Sequence, residues 1–124
     1  MNEAENSYCR VMTDTEKYHH ERRLKLEQIF NHFKAYNQLK KLKEEVGEFA
    51  DAFESYFLHD PNIDNWEHMI EELADVENVL EQFDIILSIH AIYNKLDYSM
   101  LKEKIKQKKI ERTLERIESK YYEH

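Results

Sequence analysis

Apolar residues recur three and four positions apart along most of this chain, the period of helices that bury one face. Thr13 followed by Glu16 has the capping-box pattern and opens a first helix carrying Leu24, Ile29 and Phe30. The helical pattern then runs to about Leu58 without a Pro. One helix of that length is unusual in a globular domain, so a break is expected near Lys34 to Asn37. A second helix over about 37–58 gathers Leu39, Leu42, Val46, Phe49, Phe53 and Phe57 into one stripe. His59, Asp60, Pro61 and Asn62 form the clearest turn. Asp64 followed by Glu67 predicts another capping box and a third helix over about 65–93, with a stripe of Met69, Leu73, Val76, Leu80, Phe83 and Leu87. Asn94 to Asp97 reads as a connector before a basic fourth helix from about Ser99 to Tyr121. Residues 1–12 carry no clear period and are expected to be poorly ordered. Residues 13–124 then form a single all-α domain, in which the short link between helices two and three makes them antiparallel neighbours.

Composition agrees with long helices. The 124 residues include one Gly and one Pro, and 35% are charged, too little turn punctuation for an all-β domain. Cys9 is the only cysteine; it reads as a free structural thiol, with no internal disulfide and a reducing compartment as the expectation. Glu3, Glu5, Arg10, Asp14 and Glu16 interrupt the first residues, which argues against an ordinary signal peptide. No apolar run approaches the roughly 20 residues that span a bilayer. A cytoplasmic protein with no membrane partner is expected. The net charge of −8 argues against a nucleic-acid polymer as partner. A small anionic ligand stays compatible, because metal ions reverse the field inside an acidic site. So few helices would leave apolar surface uncovered in a monomer, which predicts an oligomer.

The candidate chemistry is acidic. Helix two carries Glu44-Glu45-Val46-Gly47-Glu48 and helix three carries Glu71-Glu72-Leu73-Ala74-Asp75. Residues three apart on a helix differ by about 60° in azimuth and about 4.5 Å in height. Glu45 and Glu48 therefore aim at one point, as do Glu72 and Asp75. On facing helices the two pairs make a set of hard oxygen ligands suited to Mg²⁺ or Mn²⁺. Glu-rich helices also carry such strings on solvated faces, but two features argue against that here. Glu72 and Asp75 share the azimuth of Val79 and Ile86, beside the apolar stripe, whereas Glu71, Asn78 and Glu81 lie opposite it. Gly47, the one glycine, sits between Glu45 and Glu48, where close approach of another helix would explain its cost of about 1 kcal/mol.

The segment LKKLKEEVGEFADA, from Leu39 to Ala52, resembles the first signature of the MazG-like nucleotide pyrophosphohydrolases, with its EExxE core at Glu44, Glu45 and Glu48. Glu72-Leu73-Ala74-Asp75 resembles the second signature, ExxD. The tail KIERTLERI, from Lys109 to Ile117, is similar to the basic segment that follows in many members. The resemblance covers roughly residues 29–117. It implies an all-α bundle of four to five helices assembled as a homodimer or homotetramer. It also implies Mg²⁺ held by Glu45, Glu48, Glu72 and Asp75, and hydrolysis of a nucleoside triphosphate to monophosphate and pyrophosphate, in nucleotide-pool cleaning or dNTP metabolism.

Such a reaction needs a base for the attacking water, with Glu44 and Glu48 as candidates. It also needs cations for the phosphates: Lys109, Arg112 and Arg116 share one side of helix four with Leu101 and Ile105. Gln38 and Lys41, on the side of Glu45 and Glu48, and Asn78, one turn past Asp75, are further candidates for substrate contact. Trp66 and Tyr56 are helix-end aromatics able to stack on a base or to fill a core. His19, His20, His32, His59, His68, His90 and His124 read as structural or solvent-facing. A di-iron bundle would repeat Glu-x-x-His on facing helices, and only Glu16 to His19 has that spacing. The competing reading is a non-catalytic helical interaction protein on the same fold.

Overall fold

The structure, a computed structural model, describes residues 11–119. The expected disorder of the first residues, Cys9, the end of the fourth helix at Tyr121, and His124 lie wholly or largely outside these. The described residues form α1 (Asp14–Glu54), a π-helical turn (Ser55–His59), α2 (Ile63–Tyr93) and α3 (Ser99–Glu118), with no strand among them. The all-α expectation holds. No described helix is long and apolar enough to cross a membrane. The chain divides within α2 into two compact units, one ending at Ile85 and the other beginning at Ile86.

The ends of α1 and α2 follow local chemistry. Thr13 caps α1, its Oγ1 accepting from the Glu16 backbone N–H at 3.1 Å, as the capping pattern requires. The α2 cap is two residues earlier than expected. Asn62 Oδ1 accepts from the Asn65 N–H at 2.8 Å and the Asn62 carbonyl accepts from Trp66 N–H at 3.0 Å, so Asn62 is the cap and Asp64 falls inside the first turn. There its charge still complements the helix dipole.

The expected break in the first long helix is at Lys34, where φ 71° and ψ 159° interrupt α1. That backbone region is populated almost only by Gly. Beside it the Asn37 side-chain amide donates to the Phe33 carbonyl at 2.8 Å, giving that carbonyl a partner next to the interruption. Residues 35–54 then run antiparallel to α2. The pairings step in opposite directions along the two helices: Gln38 with Gln82, Glu45 with Asp75 and Glu72, and Tyr56 with Trp66 (ring centroids 5.2 Å). The arm before the break meets α2 through Arg22 and Glu81 at 2.6 Å and through the edge-to-face pair of Phe30 and Phe83.

The buried faces differ from the predicted stripes. On α1 the buried residues are Leu26, Phe30, Gln38, Glu45 and Ala52, while Leu39, Val46, Phe53 and Phe57 remain about half exposed. On α2, Met69 and Val76 are buried as expected, Val79 and Gln82 join them, and Leu80 and Leu87 stay exposed. The physical reason is a rotation of each helix about its axis. Alignment on Gln38, Glu45 and Ala52 turns the Phe-rich stripe of α1 outward. Gly47 likewise departs from expectation: a Cβ there would meet nothing within 4 Å, so no described part of the chain packs against it.

In the second unit, α2 ends in a Schellman arrangement. Leu96 N–H donates to the Ala91 carbonyl at 2.8 Å and Lys95 N–H to that of Ile92 at 3.4 Å, with Lys95 at φ 54° in the left-handed position usual for Gly. α3 follows, with the Lys102 ammonium 4.8 Å from the Tyr98 ring centroid.

Two substitutions check this description. Lys34→Gly is expected to raise the thermal midpoint, since it releases strain of about 1–3 kcal/mol at a modest entropic cost; a lowered midpoint would contradict the strained break. Gly47→Ala is expected to stabilise by about 1 kcal/mol in urea unfolding, because the added methyl enters open space in a helix interior.

Candidate functional site

The antiparallel pairing of residues 35–54 with α2 presses the two acidic motifs together. Glu45 is 4% exposed, an unusual position for a carboxylate. One oxygen each of Glu45, Glu72 and Asp75 lie within 4.8 Å of one another. Glu45 Oε1 pairs with the Lys41 ammonium at 3.0 Å, and Glu72 Oε1 lies 3.8 Å from His68 Nδ1. The second oxygens, Glu45 Oε2 and Glu72 Oε2, are buried without any hydrogen-bond partner. Such orphaned acceptors cost on the order of 1–3 kcal/mol each, and more when charged.

Glu48 completes the group from the solvent side. Its carboxyl is held above the ordinary value of 4.5, first by the charge of Glu45, then by a hydrogen bond shared with Glu72, by desolvation and by the charge of Glu72, against a lowering by Lys41. Lys41 is pushed up chiefly by its hydrogen bond to Glu45 and then by the charges of Glu45, Asp75 and Glu44, against desolvation. The cluster is thus short of positive charge, with Lys41 as the ammonium that answers Glu45.

The donor set fits a divalent cation. It offers carboxylate oxygens from two helices, two of them buried and unpartnered, and an open side through the exposed Asp75 and Glu48. Glu45, Glu72 and Asp75 can hold such an ion, with Glu48 beside them.

Next to the cluster lies a cleft of about 460 Å³. Of the residues expected to contact substrate, Gln38, Lys41 and Asn78 line it, as does Glu44. Lys109, Arg112 and Arg116 belong to α3, in the second unit. His68, read from sequence as merely structural or solvent-facing, is half exposed but reaches Glu72. Gln82, Phe33 and Asn37, which sequence reasoning passed over, also border the cleft. A signal for Gln82 existed: it follows Asp75 by seven residues, as Glu45 follows Gln38, so each amide shares the azimuth of an acid. Trp66 and Tyr56 instead pair with each other beside a separate hollow at Pro61 and Asn62.

Comparison with family models, curated proteins and solved structures finds no match for this chain.

The electrostatics predict a pH dependence. Because the folded state raises Glu48 above its unfolded value, its contribution is fully present below about 4.5 and is lost as pH rises through the folded value. Metal-free protein should therefore lose stability as pH rises from the ordinary carboxyl range toward neutrality. Glu48→Gln should flatten that slope and raise the thermal midpoint at neutral pH. An unchanged slope in the variant would show that Glu48 carries no such repulsion.

Proposed function

We propose that this chain is a metal-dependent hydrolase of nucleoside triphosphates, dNTPs among them, of the MazG-like type, cleaving between the α and β phosphates to give monophosphate and pyrophosphate. The observation that carries the reading is the pair of buried carboxylate oxygens without partners, Glu45 Oε2 and Glu72 Oε2, in a three-acid cluster contributed by two facing helices. A solvated acidic face would have no reason to seal such oxygens from water. Mg²⁺, or Mn²⁺, is the proposed ion; bound there it supplies Lewis-acid stabilisation of charge on the phosphates and a template for the substrate.

The chain's own residues divide the remaining work. Glu45, Glu72 and Asp75 hold the ion. Glu48, which sits against two of these acids, and Glu44, which lines the cleft, are the proposed candidates for taking a proton from the attacking water. Lys41 neutralises Glu45 and lines the cleft.

The assembly proposed with this activity is a homodimer or homotetramer. Leu39, Leu42, Val46, Phe49 and Phe53 alternate three and four apart, the spacing of a helical seam, yet four of the stripe residues, Leu39, Val46, Phe53 and Phe57, are about half exposed. A second copy offers the same stripe and would cover it. The same exposed stripe is the observation that favours the second reading, a non-catalytic helical interaction protein, and metal uptake separates the two.

Incubation with each dNTP and Mg²⁺ should release pyrophosphate, chelation should stop it, and Glu45→Ala combined with Glu72→Ala should lower kcat at least about a thousandfold. Equal turnover by that variant would falsify the proposal. Calorimetric titration showing no Mg²⁺ or Mn²⁺ uptake would transfer the chain to the second reading. Sedimentation equilibrium should give a multiple of the chain mass for the native protein, falling when Phe53→Lys and Phe57→Lys are combined; a native monomer at micromolar concentration would remove the oligomer.

A further inference from the structure

The floor of the cleft is made of amides. Gln38 and Gln82 are 5% and 4% exposed, and Gln38 Nε2 donates to Gln82 Oε1 at 2.7 Å. That bond leaves Gln38 Oε1 as an acceptor and the Gln82 amino group as a donor. Turning both amides over reverses the bond and exchanges the two roles. The floor therefore offers one donor and one acceptor side by side, in either order. Asn37 contributes a third carboxamide, whose amino group already donates to the Phe33 carbonyl, leaving its oxygen as acceptor. Phe33, half exposed, and the buried Val79 supply apolar walls.

The other end of the cleft is charged, through Lys41, Glu44 and Asp75. Gln38 precedes Glu45 by two helical turns, about 10 Å along the axis, a separation of the kind a nucleotide covers between the edge of its base and its phosphates. A volume of about 460 Å³ falls within the range of small-molecule sites.

We propose that this cleft is a nucleobase site. The base lies against Phe33 with its hydrogen-bonding edge on the Gln38–Gln82 pair, and the sugar and phosphates run toward Asp75. The ligand class is a neutral heterocycle carrying an adjacent donor and acceptor. Keto bases such as uracil and guanine have that edge in one order, amino bases such as cytosine and adenine in the other, and the amide pair reverses to meet either. The site thus distinguishes a nucleotide from a bare polyphosphate far better than it distinguishes one base from another. The proposal rests on reading the neighbouring carboxylates as a triphosphate site.

The test is Gln38→Met combined with Gln82→Met, which removes both amides at once, so neither is left buried without a partner, and keeps the side-chain volume close to native. The KM for each dNTP should rise about tenfold with little change in kcat, as expected for two lost hydrogen bonds, while inhibition by inorganic tripolyphosphate stays the same. Unchanged KM values in a folded variant overturn the base site and leave the hydrolase reading standing. A second measurement uses the native chain without metal: deoxynucleoside monophosphates should shift the Gln38 and Gln82 side-chain amide resonances, and no shift overturns the proposal. Shifts in a protein that hydrolyses no dNTP would sustain the base site and sink the hydrolase. A preference above about a hundredfold in kcat/KM for one base would overturn the tolerant amide pair.

Discussion

Two helices hold carboxylates where water does not reach, and the rest of the first unit is arranged around that constraint. A buried acid needs a counter-charge, a hydrogen bond or a proton. Glu45 receives Lys41 on one oxygen and nothing on the other, while Glu72 has a half-exposed histidine 3.8 Å from one oxygen and no partner on the other. The remaining repulsion is visible on Glu48, which is pushed toward its protonated form by its neighbours. Like charges gathered in this way destabilise a chain that has no other use for them. Under the proposed reading, a divalent cation would convert the same geometry from a cost into a binding energy, linking metal affinity and fold stability through one set of oxygens.

The break in α1 acts on the other side of that site. Without the non-helical Lys34, residues before and after it would continue a single rod. With it, Phe33 on one arm and Gln38, Lys41 and Glu44 on the other border the same cleft against α2. Strain at one backbone position thus produces a concavity that neither helix possesses alone. The cleft has an uncharged amide end and an acidic end; an anionic group at the acidic end needs a cation between it and the carboxylates. The Gln38–Gln82 bond holds the two helices in register at the amide end, as the acids do at the other.

The packing also leaves a surplus. Aligning α1 on Gln38, Glu45 and Ala52 satisfies the polar groups but turns Leu39, Val46, Phe53 and Phe57 toward solvent. Phe53 and Phe57 stack on each other with ring centroids 4.5 Å apart, which hides part of their area yet leaves about half of each exposed. Among the described residues no large side chain is completely buried. Apolar area of this extent on a regular helical face is the usual mark of a further contact surface, and the helix that presents it also carries Glu45 and Glu48.

Much of this was legible from residue order. The helical class, the Thr13 cap, the pairing of the two acidic motifs and the turn all follow from local rules (period, capping and a short connector), although the turn was expected from His59, which instead ends the π-helical turn. The break near Lys34 was legible only as a length argument, because no Gly or Pro marks it. What residue order left open was rotation. A helix with apolar side chains over a wide arc can bury any part of it, and burying Gln38 and Glu45 in preference to Val46 and Phe53 depends on Gln82, Glu72 and Asp75 standing opposite. The same holds for Gly47, whose surroundings no local rule describes. Sequence alone determined which helices form and which acids share a face, since these are properties of single helices. Only the tertiary structure decided which faces meet, which carboxylate oxygens lose water, and where a cleft opens, since burial is a property of two surfaces and not of one.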